Sequence, residues 1–123
     1  MRFLMMHRVS ESDPSAWNPT PEFMETMGAM IEDWTKRGIL ITAEGVHQSD
    51  KGALVRKTRG VGIKTTDGPF TEAKEVIGGF ALINAENREQ AVQYATEYAE
   101  LFDQIEVEVR QVVEFDDLPE LSG

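Results

Sequence analysis

The apolar residues of this chain change their spacing along its length, and each change marks an element. Residues 2 to 9 hold Phe3, Leu4, Met5 and Met6 without alternation, the pattern of a strand covered on both faces. Residues 10 to 19 are turn formers, and Thr20-Pro21-Glu22 then gives an N-cap, a proline at the first helical position and an acid in the first turn. Phe23, Met27, Met30, Ile31 and Trp34 recur at helical spacing until Gly38. That spacing predicts one apolar stripe on a helix that the glycine stops.

Residues 39 to 44 predict a second strand entered almost without a loop, and residues 53 to 58 and 61 to 64 predict a short hairpin around Arg59-Gly60. Ile77 to Asn84 predicts the next strand. Asn87 with Gln90 is a capping pair, and Ala91, Ala95, Tyr98, Ala99 and Phe102 repeat the helical spacing behind it. From Ile105 to Phe115 the chain alternates, with Ile105, Val107, Val109, Val113 and Phe115 on one face. A strand of that length exceeds the usual run of about 5–6 residues, which points to pairing beyond its own subunit.

The predicted order, βαβ, a hairpin, then βαβ, defines an α+β ferredoxin-like chain, an antiparallel sheet with two helices on one face. Helices on one face leave the other bare, while the apolar first strand asks for cover on both. A second copy is the simplest cover, so a homodimer through the helix-free sheet face is expected. The 123 residues are expected to form a single domain, 1–123, with a short C-terminal tail at 116–123.

Composition sharpens this picture by exclusion. The chain has no Cys, so disulfide frameworks, thiolate zinc sites and cysteine nucleophiles are excluded, and a reducing cytoplasm suits it. The opening apolar run is too short for a signal peptide and no later run approaches the ~20 residues of a membrane span, so no membrane association is expected. The net charge of −10 is unevenly placed, for Glu86 to Glu120 hold eleven acidic residues against Arg88 and Arg110. Such a balance repels phosphate backbones, and no nucleic-acid partner is expected. Lys51, Arg56, Lys57, Arg59 and Lys64 are the local exception, read as a solvated hairpin face with an anion patch as the alternative. Serine-hydrolase elbows, phosphate loops and dinucleotide glycine patterns are missing. Two histidines and scattered acids offer no tight ligand spacing, so neither a metal nor a cofactor is expected.

The densest chemistry lies in Asp67-Gly68-Pro69-Phe70, followed by Glu72, Lys74, Glu75 and Gly78-Gly79-Phe80. Asp67 can close an Asx-turn, Gly68 tolerates positive φ and Pro69 fixes the exit direction, which makes a turn with a cluster of ionisable groups beside it. The segment resembles the signature of the DGPF group of YCII-related proteins, and Glu44-Gly45-Val46-His47, Val109-Arg110 and Glu114-Phe115 are similar to that group's other recurrent segments. The resemblance implies a ferredoxin-like subunit forming a dimeric α/β-barrel, and leaves activity open. In the wider family a His–Asp pair is the proposed acid–base site, with its histidine on the first helix. The first helix predicted here has no His, so only Asp67 carries over.

His47 follows the second predicted strand, where a carboxylate such as Asp67 or Glu44 could fix its tautomer for proton exchange near neutral pH. Asp67 and His47 are therefore the candidate catalytic pair, with Glu44, Trp17, Phe70, Glu72 and Lys74 as candidate ligand contacts. His7, inside an apolar strand, is read as a buried, satisfied side chain or an interface contact. The expected function is binding of a small organic molecule, with cofactor-free acid–base chemistry as its extension. The alternative is a non-catalytic dimeric module that engages a protein partner through the acidic C-terminal third.

Overall fold

In a computed structural model, described for residues 1–70 and 73–119, strand β1 (Arg2–Val9) lies at the centre of a four-stranded antiparallel sheet. Its neighbours are β5 (Val76–Asn84) and β6 (Glu106–Gln111), and β2 (Leu40–Gly45) pairs with the far side of β5. The order β2-β5-β1-β6 with its two βαβ halves is consistent with the ferredoxin-like arrangement. Among the described residues, strands β3 (Ala53–Thr58) and β4 (Gly62–Asp67) pair only with each other. The predicted hairpin is a separate two-stranded ribbon.

Alternation along β1 sets the two faces of the sheet. Phe3 and Met5 point to the helices and are almost fully buried, opposite Ile83 and Ala81 of β5. Leu4 and Met6, opposite Leu82 and Phe80, lie on the helix-free face. That face is bordered by ion pairs: Arg2 donates twice to Glu114, at 2.8 and 3.0 Å, and Glu108 accepts from Arg8 and Arg110. These guanidinium partners hold both carboxyls below their ordinary range.

Helix α2 (Pro21–Lys36) begins as predicted, with the Thr20 hydroxyl accepting from the Phe23 N–H at 3.1 Å. Its stripe is only partly used, for Trp34 alone is buried and Ile31 is 39% exposed. Beneath it the facing positions of β2 and β5 are small, Ala43, Gly45 and Ala81, and they do not fill the space between the helix and the sheet. Helix α3 (Arg88–Ala99) is seated closely by its buried Ala91 and Ala95. Asn87 caps it by accepting from the Gln90 N–H at 2.8 Å, and Gln90 returns a bond from the Glu86 N–H.

Two expectations change. The turn-former stretch contains a short helix, α1 (Pro14–Trp17), capped by Asp13. The last strand ends at Gln111 rather than Phe115, because its partner β1 starts at Arg2 and the ladder closes with the Val112 N–H bonded to the Arg2 carbonyl. A 3₁₀ turn over Phe115–Asp117 follows it. No helix among the described residues is long and apolar enough to cross a membrane.

Candidate functional site

The gap left by those small residues is a cavity of about 270 Å³ between α2 and the sheet. Its walls are largely apolar and include Met5, Met24, Met27, Met30 and Trp34, and an engineered cavity of about 150 Å³ already holds a benzene ring. Polar side chains enter from His7 and Tyr98, and Glu44 borders the space from β2. Among the described residues, no Lys or Arg lines it.

His7 continues the inward face of β1 beyond Met5, and Tyr98 continues the α3 stripe beyond Ala95. Their Nδ1 and hydroxyl oxygen are 2.6 Å apart, with the rings stacked at 5.9 Å. Phe102 packs against both rings and against Phe23 of α2. Behind the imidazole, β5 presents Gly78 and Gly79. A Cβ at Gly78 would lie 2.6 Å from Nε2, and one at Gly79 2.8 Å from Cε1, so the two glycines are the space in which the histidine rests.

Burial shifts both groups toward neutrality. It lowers the His7 pKa, against an opposing backbone hydrogen bond at Gly78, and it pushes the Tyr98 hydroxyl well above the usual phenol range. Among the described residues the Tyr98 O–H has no other acceptor, so it donates to Nδ1, which requires the Nε2–H tautomer of the imidazole. The pair is uncharged at neutral pH. His7 also lines a second, more polar cleft of about 620 Å³ that includes Ser10, Asp13 and Glu75, so the imidazole stands between the apolar cavity and an open groove.

The residues singled out in sequence fall elsewhere, apart from Glu44. Asp67 ends β4 and is exposed, as are His47 and Lys74. Trp17, half-buried, donates its indole N–H to the Ser10 carbonyl at 3.1 Å. Glu72 lies outside the described residues. The loops of His47 and Asp67 adjoin: the Gly68 N–H bonds the Gly52 carbonyl at 2.9 Å and the Phe70 N–H bonds the Ser49 hydroxyl at 2.7 Å. Neither His47 nor Asp67 lines the two clefts described.

Among the described residues, the bonds that hold this segment run through the backbone of Gly68 and Phe70 and not through the Asp67 carboxylate. Ser49, nearly buried, passes its own O–H to Glu11 at 2.6 Å. Gly68 is required for close approach rather than for positive φ, since any Cβ there would fall inside the Ser49 carbonyl, and positive φ occurs instead at Gly38, Gly60 and Gly62. Glu11 and Ser49 carried no signal in sequence beyond turn-forming type. Tyr98 carried one, because a phenol on a buried helical stripe calls for a hydrogen-bond partner.

An antiparallel α+β subunit with a cavity beneath one helix is thus the class that fold and site define. The sequence matches the YCII-related domain family over residues 1–116, and the chain belongs to that family. No curated protein matches it.

Proposed function

We propose that this YCII-related protein binds a small, uncharged, mostly apolar molecule in the cavity beneath α2, with the Tyr98–His7 pair supplying the polar contact. The observation that carries the reading is the 2.6 Å phenol–imidazole bond at the edge of a methionine-lined space with no lysine or arginine among the described residues of its walls. A ring bearing one hydroxyl or carbonyl matches that lining, and four thioethers adapt to its outline. An anion finds no counter-charge among the described residues of that lining.

For acid–base chemistry, Tyr98 is the relay and His7 the base. The raised phenol stays protonated, so it can take a hydrogen bond from a bound hydroxyl only while passing its own proton toward Nδ1. No cofactor enters this scheme. The surrounding proposal is a cytoplasmic homodimer, forming the barrel of two sheets, in which Leu4, Met6, Phe80 and Leu82 of the helix-free face are covered by a second copy.

Calorimetry with p-cresol as the probe tests the site. Tyr98→Phe and His7→Gln should each weaken binding about threefold to tenfold, the worth of one hydrogen bond, and unchanged affinity in both rejects the assignment. The adjoining loops support a second reading, a surface site at Asp67 and His47. It predicts that Asp67→Asn and His47→Ala abolish p-cresol binding while Tyr98→Phe leaves it intact.

A further inference from the structure

We propose that the β3–β4 hairpin is an arm that docks against the acidic β6 edge of a second copy of this chain. Among the described residues the hairpin pairs with no other strand, and every residue of both its strands is exposed. Val55 is 71% and Ile63 68% exposed. A two-stranded ribbon with so little cover is marginal in water by itself, and its Val55 and Ile63 are left mostly open.

Its charges point to the occupant. Arg56 and Lys64 are directly opposite in the ladder and share a face, a like-charge pair that opposes pairing unless carboxylates approach that face. Among the described residues, neither forms an ion pair. The chain's carboxylates are concentrated far along the sequence, with Glu106 on β6 and Asp116 just beyond it, both exposed.

Within one subunit the arm and these carboxylates form no ion pair among the described residues. The hairpin leaves the sheet at the β2 edge, and β6 is the opposite edge. In a face-to-face pair whose two-fold axis runs along the strands, the β2 edge of one copy lies over the β6 edge of its partner. Four strands at ~4.8 Å spacing span about 14 Å, and six residues at ~3.3 Å give an arm of about 20 Å, so the reach suffices. This inference rests on the self-association proposed above and adds the contact that sets its orientation.

Charge reversal tests it in solution, with circular dichroism to confirm that each full-length chain is folded. One variant carries Arg56→Glu with Lys64→Glu, the other Glu106→Lys with Asp116→Lys. By analytical ultracentrifugation each should self-associate at least about tenfold more weakly than the wild type, and an equimolar mixture should regain the wild-type affinity as a mixed dimer. Raising NaCl from 50 to 500 mM should weaken the wild-type dimer by a similar factor. A wild-type chain that is monomeric at 100 μM overturns the self-association itself. A wild-type dimer that neither variant weakens, or a mixture no tighter than its parents, overturns the arm alone.

Discussion

The cavity beneath α2 and the segment from Asp67 to Phe70 invert each other. The segment is dense in motif and in ionisable groups, yet its key atoms are a glycine α-carbon against the Ser49 carbonyl and a backbone N–H on the Ser49 hydroxyl. The cavity is walled by unremarkable methionines and alanines, yet it takes in a half-buried phenol–imidazole pair. Conspicuous spelling here marks tight backbone packing, whereas reactive potential comes from two ordinary residues that distant strands and helices bring together. A motif reports where the chain has no latitude, which need not be where the chemistry is.

The hardest test of that contrast is Gly68→Ala. Its methyl meets backbone rather than a yielding side chain, so a loss of about 3 kcal/mol or more is expected by urea unfolding. A stable Gly68→Ala protein that had lost p-cresol binding would break the comparison, for the segment would then serve the ligand. Gly78→Ala pushes on the imidazole instead, which can tilt only by leaving Tyr98. It should cost roughly 2 kcal/mol and weaken p-cresol binding together with it, joining fold and site in one residue.

A smaller effect separates the regions by pH. The unfolded chain protonates His7 near 6.5 while the folded chain resists, so this contribution to stability is complete above that pH and falls as the pH drops through it. The slope from His7 cannot exceed about 1.4 kcal/mol per pH unit, and His7→Gln should remove it. Glu108 and Glu114, held below the ordinary carboxyl value of 4.5 by arginines, act in a separate and more acidic window. The smallest change belongs to the hairpin: Val55→Thr should shift stability by no more than about 0.5 kcal/mol in the dissociated chain, as measured by thermal melting at low micromolar concentration.

Much of the fold was legible because periodicity and caps are local. Thr20 and Asn87 cap the helices they announce, and β1 runs where Phe3 to Met6 placed it. The end of β6 was not legible, since it depends on where β1 begins, a fact of register. Of the candidate ligand contacts among the described residues, Glu44 alone borders the cavity. His7 was taken for a satisfied strand residue, and it is satisfied, by Tyr98. What the spelling did not reveal is that Ala43, Gly45 and Ala81 leave open the space beside it, because a void comes from small residues on different strands meeting under one helix.

The central claim is that this void is the binding site, and the methionines can report it directly. Four of the chain's six, Met5, Met24, Met27 and Met30, line the cavity, while Met1 and Met6 do not. In a spectrum of protein labelled with ¹³C at the methionine methyls, titration with p-cresol should move those four signals along one saturable curve and leave Met1 and Met6 in place. The carboxylate analogue p-toluate should move none of them at the same concentrations. Four unmoved signals, equal movement of all six, or p-toluate binding as tightly as p-cresol would contradict the account.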